Sequence, residues 1–207
     1  KYNDLKKFKK KKYFVRIKAV NKNKPMPYGE IFIKGKSKKT IYLTTYICHP
    51  NLANDNLSGI LMLSNLVRHL KSESKKNQLN YSFCILFISE TIGSMLYIDK
   101  NLNKLKKNFV AGYVLTCLSN GKEFNIISKY KENLSFKFLV NFLKVGKINH
   151  KIRNWTVRGS DERQFSSPNV NLPFVCITKK KFGEYKEYHS SSDNLDFFNI
   201  SNYNHSF

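Results

Sequence analysis

The sequence predicts an α/β protein with three αβα layers around a mixed, largely parallel sheet. Its 207 residues are 41% hydrophobic and 14% aromatic, which is enough for a substantial core. After residue 40, short β-branched runs alternate with segments of helical periodicity, as is typical of parallel strands joined by helices. Polar residues follow several of these runs, at the sheet edge where open α/β proteins bind ligands.

The first part of the chain, residues 1–39, predicts a β-rich lead-in. Residues 13–20 and 30–34 have the composition of strands, and the turn-rich segment between them predicts a hairpin-like connection. We expect residues 40–207 to form the α/β core and to belong to the same single domain as the lead-in. Because the chain begins with Lys1 rather than Met, we allow for a fragment of a longer protein.

The core elements follow in order. Apolar runs predict strands over residues 40–47, 81–88, 109–116, 124–128, 151–157 and 173–178. Helical spacing predicts helices over residues 56–70, 92–100 and 133–145. In the third helix we expect one apolar stripe to face the core, formed by Leu134, Phe138, Leu139 and Phe142.

The formal charge of +23 raises the question of nucleic-acid binding. Only five of the 37 basic residues are Arg, however, and Arg supplies the planar fork that reads bases. We therefore interpret the lysines as solvated surface and expect no nucleic-acid partner. No stretch approaches the roughly 20 apolar residues of a membrane span, so we expect a cytoplasmic protein without a membrane partner. The sequence does not predict the oligomeric state.

The four cysteines are far apart and include no CxxC pair, which indicates reduced thiols rather than a disulfide framework or a cysteine zinc site. Cys48 directly precedes His49. Neighbouring side chains of an extended strand point to opposite faces, so we expect that these two do not bind one metal ion.

Four polar segments at predicted strand ends carry groups suited to chemistry. Two histidines and two aspartates suit a divalent transition metal, namely His49, Asp55, Asp161 and His189. Glu90 suits a general base. Structural roles are open for each: Asp55 and Glu90 as helix caps, Asp161 as a turn residue and His189 as a buried, hydrogen-bonded histidine.

Five stretches carry a family resemblance, in this order: YGEIFIKG, ICHPNLANDNLSG, SETIGS, RGSDERQF and YHSSSDN, from Tyr28 to Asn194. They resemble zinc-dependent aminopeptidases with a phosphorylase/hydrolase-like (zinc-exopeptidase) core, related to the transferrin-receptor ectodomain. More closely, they resemble the aminopeptidase-like domain of uncharacterised bacterial proteins linked with polysaccharide biosynthesis. The resemblance implies one or two zinc ions, held by His49, Asp55, Asp161 and His189, with Glu90 as the base.

The chain departs from that family at two positions. Where the aminopeptidases have two adjacent glutamates, base and metal ligand, this chain has Glu90 and Thr91, and where they have a carboxylate two residues after the first histidine it has Asn51. Either one ion remains and Glu90 is the base, or Glu90 takes over as the ligand and no base is left. Arg163 either binds a substrate carboxylate bidentately or pairs with a neighbouring acid, Glu162 or Asp193.

These residues predict a metal-dependent hydrolase of aminopeptidase type, acting on a peptide or amide bond of a peptide-like or small-molecule substrate. The alternative is an accessory binding domain with the same fold and one structural metal or none. The missing carboxylates at Asn51 and Thr91 favour that alternative.

Overall fold

The computed structural model describes residues 12–20, 24–157, 159–181 and 183–207. In these residues, one sheet contains the strands β1 (Gly29–Ile33), β2 (Thr40–Tyr46), β3 (Ser82–Ile88), β4 (Phe109–Leu115), β5 (Phe124–Ser128), β6 (His150–Arg153) and β7 (Phe174–Thr178). The α-helices are α1 (Ser58–Lys76), α2 (Ile92–Asn108), α3 (Leu134–Val145), α4 (Asp161–Phe165) and α5 (Ile200–Asn204). A π-helical turn, Ala53–Leu57, precedes α1, and a 3-10 turn, Trp155–Val157, precedes α4.

The strand order is β1-β3-β2-β4-β7-β5-β6. Strand β2 pairs in parallel with β3 and β4, β4 with β7, and β5 with β6, whereas β1 is antiparallel to β3 and β5 to β7. The predicted mixed, largely parallel sheet is confirmed. The chain leaves β2 for β3 on one side and later returns to β4 on the other. A crevice therefore opens beyond the carboxyl end of β2, which is where such sheets bind ligands.

Apolar side chains pack on both faces of the sheet. Successive strand residues point to opposite faces, so Tyr42 and Cys84 lie in one cluster while Leu43 and Ile85 lie in the other. Residues of α1 and α3 cover the second face, and residues of α2 and α4 cover the first. The predicted helix–sheet–helix layering is confirmed. Helix α1 runs longer than predicted and ends in a basic turn, a charge that the helix dipole favours there.

The strand predicted over residues 13–20 is wrong. The described residues 12–20 carry no regular structure and are exposed, with Phe14 92% exposed. Residues 21–23 of the predicted hairpin lie outside the described residues. Strand β1 instead pairs with β3, in the antiparallel register from Gly29↔Phe87 to Ile33↔Phe83.

The predicted apolar stripe of α3 is also wrong in its orientation. Leu134, Phe138 and Phe142 are 59%, 63% and 58% exposed, and Leu139 is only partly buried. The core-facing side is formed by other residues, Phe136, Val140 and Leu143. This helix is apolar almost all round, so periodicity could not select its buried face.

No helix among the described residues is long and apolar enough to cross a membrane.

Candidate metal centre

The loop after β2 carries the first predicted ligands. Strand β2 ends at Tyr46, and His49 lies three residues later, before the π-helical turn. Within that turn Asp55 has the non-helical angles φ −112° and ψ 80°, so the backbone kinks before α1 begins. The Asp55 carboxylate is 1% exposed, and its Oδ1 accepts a hydrogen bond from the Tyr46 hydroxyl. Asp55 therefore faces back toward the end of β2 and does not cap α1.

A segment far along the chain fixes this turn. The buried carboxylate of Asp193 accepts the backbone N–H of Asn54 at 2.6 Å and that of Asp55 at 3.0 Å. The Asp193 carbonyl accepts a third N–H, from Ala53, at 3.0 Å. His189 lies four residues before Asp193 in the same late loop, which follows β7, so these bonds also bring it close to Asp55. Burial raises the pKa of Asp193, and the bound N–H groups oppose that shift.

Three of the four predicted metal ligands converge. Each of His49, Asp55 and His189 offers one ligand atom, and these atoms all lie within 4.8 Å of one another. His189 Nε2 lies 3.2 Å from Asp55 Oδ2, and the two imidazole rings are 5.1 Å apart between centroids. Tyr188 stacks on the His189 ring at 4.0 Å. With its side chain 49% exposed, His189 is not a buried core histidine.

The fourth predicted ligand, Asp161, is held elsewhere. It begins α4, is 0% exposed, and accepts the backbone N–H of Thr91 at 2.8 Å through Oδ1. The groups of candidate ligands that the structure brings together among the described residues do not include it. Burial raises the pKa of Asp161 to about 7, with smaller contributions from the charges of Glu90 and Glu162. The position of Asp161 supports a role in fixing the loop after β3.

That loop carries Glu90 on a tight turn. Thr91 has φ 58° and ψ −63°, and the N–H of Ile92 donates to the Glu90 carbonyl at 2.7 Å. A non-glycine residue in this conformation costs roughly 1–3 kcal/mol and persists only where its surroundings hold it. The hydrogen bond from the Thr91 N–H to the Asp161 carboxylate holds Thr91 in this conformation. No side-chain cap is formed at the start of α2, so the alternative role of Glu90 as a cap is not observed.

Glu90 faces the same cleft as Asp55. The cleft has a volume of about 180 Å³, and its lining residues are Tyr46, Asp55, Glu90, Thr91, Gly159, Ser160 and Tyr188. Ser160 Oγ donates a hydrogen bond to Glu90 Oε1. A carboxylate oriented in this way beside a possible metal position suits proton transfer from water.

The side chain of Arg163 lies beside Gly159, a residue that lines this cleft. Its guanidinium stacks over the Trp155 ring at 5.3 Å, and Nη2 donates to the carbonyls of Trp155 and Thr156 at 3.4 and 3.3 Å. It is not among the described residues that line the cleft. Its proposed contact with a substrate carboxylate stays a prediction.

The structure contradicts the extended-strand geometry that the sequence predicted for Cys48 and His49. Strand β2 ends at Tyr46, so the alternation of an extended strand does not reach these residues, and Cys48 Sγ lies 3.3 Å from His49 Nδ1. Sequence reasoning also missed Tyr46 and Thr116, whose hydroxyls are 2.6 Å apart beside Asp55. Only the position of each at the carboxyl end of its strand could have indicated them.

Comparison with known proteins adds the family. The family model described as "domain of unknown function (DUF4910)" matches residues 18–207. The chain belongs to this family. A Clostridium acetobutylicum protein, named for polysaccharide biosynthesis and an aminopeptidase-like domain, is 36% identical over 188 residues, which are 90% of this chain and 42% of that protein. The chain therefore spans about two fifths of the length of that relative.

Solved structures share the fold. A C. acetobutylicum structure described as a peptidase has a TM-score of 0.79 and 36% identity over 86% of this chain and 41% of its own. A zinc aminopeptidase of Bacillus subtilis has a TM-score of 0.68 at 16% identity, and the match covers 86% of this chain and 46% of that protein's chain. A glutaminyl cyclase of an Acidobacteriales bacterium has a TM-score of 0.60 at 16% identity, and the match covers 86% of this chain and 69% of that protein's chain. At such low identity these last two show the fold alone, and they perform different reactions on it.

Proposed function

We propose that this domain is a metal-dependent hydrolase of aminopeptidase type that cleaves a peptide or amide bond. One observation carries the proposal: His49, Asp55 and His189 converge within 4.8 Å, and Glu90 lines the cleft that also contains Asp55. Because ligands and base come from separate loops at the carboxyl ends of the strands, a substrate in the cleft would contact both.

The donor set fits a zinc ion. Two imidazoles and one carboxylate are ligand types that zinc binds, and three protein ligands leave a coordination position open for water or substrate. The buried Asp55 is oriented by Tyr46 and Asp193, as outer partners orient metal ligands. Thr91 lies in the cleft without a carboxylate, so this set supports one ion there.

The residues of the chain would supply proton transfer and positioning, and a metal ion would supply the Lewis acid. A bound zinc ion would supply Lewis-acid polarisation of the scissile carbonyl and acidify water. Glu90 Oε1 accepts the Ser160 hydroxyl, which holds the carboxylate so that Oε2 can take a proton from water and return it to the leaving amine. Asp161 fixes the turn beneath Glu90 through the Thr91 N–H.

The test is turnover and zinc content of the same preparations. We expect the Glu90→Gln variant to keep its zinc and to lose about 10²–10⁴-fold in kcat, the usual contribution of general acid–base catalysis. Glu132→Gln is the matched control, because that side chain is 89% exposed, and it should change neither quantity. Substrates would include aminoacyl anilides and N-acetylated amino sugars, since the Clostridium relative is named for polysaccharide biosynthesis.

Two results would contradict the hydrolase. One is a chain that binds no zinc even when zinc is added. The other is a Glu90→Gln variant that turns over at the rate of the unchanged protein. The absent carboxylate at Thr91 favours the alternative of a binding domain with one structural ion or none. That alternative predicts at most one bound zinc ion, no turnover of any substrate, and ligand affinity that is equal in the unchanged protein and in Glu90→Gln.

A further inference from the structure

We propose that Cys48, His49 and Glu90 form a second cation position, adjacent to the first and sharing His49 with it. The ligand atoms of these three residues lie within 4.8 Å of one another. The proposal goes beyond the hydrolase, because it concerns metal binding at a different set of ligands, of which only His49 belongs to the first position, and it requires no turnover.

The strand register explains why these residues meet. Tyr46 of β2 is paired with Ile88 of the parallel neighbour β3, and the N–H of Ile47 donates to the Ile88 carbonyl at 2.9 Å. Cys48 and Glu90 each lie two residues beyond this pair, so the segments that follow β2 and β3 each carry one ligand at the same edge of the sheet, at equivalent positions. The sheet itself therefore sets their separation.

The distances suit a tetrahedral ion. Bonds of about 2.0–2.3 Å place neighbouring ligand atoms about 3.3–3.8 Å apart around such an ion. Cys48 Sγ and His49 Nδ1 are already 3.3 Å apart. Small rotations of the Glu90 carboxylate would bring the third ligand to the same spacing, and the fourth place is left for water.

The ligand chemistry selects the ion. A thiolate, an imidazole and a carboxylate bind Zn²⁺ or Co²⁺, whereas Mg²⁺ and Ca²⁺ prefer oxygen ligands. Cys48 is the exposed cysteine of the chain, while Cys84, Cys117 and Cys176 are buried, so an ion from solvent reaches this thiol. The thiol binds as thiolate and releases its proton to solvent.

Because this position shares residues with the proposed hydrolase site, an ion bound there would affect catalysis. An ion on Cys48, His49 and Glu90 would occupy the carboxylate proposed as the base and compete for the imidazole of the first position. Filling it at higher metal concentration would therefore inhibit the hydrolase. This consequence rests on the proposed function, whereas the cation position does not.

Titration of the metal-free protein with Co²⁺ tests the position by absorption, because a thiolate bound to cobalt gives a charge-transfer band in the near ultraviolet. We expect the band in the unchanged protein and in His189→Ala, which removes a ligand of the first position only. We expect its loss in Cys48→Ser, with cobalt affinity there reduced by more than about tenfold, the least that even outer-ligand changes cost. Cys48 is exposed, so its replacement should leave the urea midpoint unchanged and show that the fold is intact.

Three results would overturn the inference: no band in the unchanged protein, a band that persists in Cys48→Ser, or a band lost in His189→Ala, which would mean one combined centre. A failure of the proposed hydrolase is separate, because it removes turnover and leaves the cobalt band as it is.

Discussion

Replacing Asp193 by Ala removes the side chain that joins the late loop to the first metal-ligand loop. The carboxylate is 0% exposed and accepts two N–H groups, from Asn54 and Asp55, at 2.6 and 3.0 Å. Both N–H groups belong to buried residues, so no solvent takes the place of the lost acceptor. The variant leaves two unpaired buried donors beneath Asp55.

The magnitude follows from these two bonds. Hydrogen bonds to a charged group contribute about 1.5–3 kcal/mol each, or roughly 3–6 kcal/mol together. Removing the carboxylate also removes the cost of its burial, which is the main cause of the raised pKa of Asp193. We therefore expect a net loss of about 2–4 kcal/mol in the free energy of unfolding.

Urea unfolding of the metal-free protein measures this loss. Asp196→Ala is the matched control: it removes the same charge from an exposed side chain three residues later, and its effect should stay within about 0.5 kcal/mol. We also expect zinc affinity in Asp193→Ala to fall about 10–100-fold, as for other outer partners of metal ligands. Equal stability of the two variants would refute the reasoning, since it would mean that Asp193 does not hold the turn.

Two further predictions concern buried positions. In Gly59→Ala the added Cβ would lie 2.5 Å from Thr45 Oγ1 and 2.7 Å from the Leu115 carbonyl oxygen. We therefore expect the free energy of unfolding to fall by about 1–3 kcal/mol, whereas Gly→Ala in a helix usually raises it by roughly 1 kcal/mol. A raised melting temperature would contradict the close approach of α1 to the sheet. Burial raises the pKa of Asp161 from 3.8 to about 7, so its contribution to stability is present below pH 4 and lost as the pH rises through 7. The Asp161→Asn variant keeps an acceptor for the Thr91 N–H. Measured by urea unfolding without metal, its free energy of unfolding minus that of the unchanged protein should rise by about 2–3 kcal/mol from pH 5 to pH 8. A difference that stays constant with pH would contradict the raised pKa.

Local sequence patterns were sufficient for most core elements. The strand Phe124–Ser128 has the predicted bounds, and Thr40–Tyr46 and Ser82–Ile88 differ from prediction by one residue at one end. These are short β-branched or aromatic runs, whose composition differs clearly from their surroundings. Residues 13–20 have similar composition but no strand in the structure, because a strand also needs a partner, and composition does not supply one.

The face of a helix was not predictable in the same way. Helix α3 has apolar residues on most of its surface, so Phe136 and Phe138 were equally good candidates for the core. Contacts with the sheet made Phe136 the buried one, at 7% exposure against 63% for Phe138.

For the candidate site, the sequence by itself determined which residue types are present and that His49 and Glu90 come shortly after strands. Together with the five stretches of family resemblance, this led to the prediction of His49, Asp55, Asp161 and His189 as ligands and of Glu90 as the base. Only the tertiary structure decided which of them meet. Asp55 donates its backbone N–H to Asp193, 138 positions later, which brings the neighbouring His189 to it, whereas Asp161 accepts the Thr91 N–H instead, because its helix packs beside α2. Such contacts depend on strand register and helix packing, which no local pattern encodes.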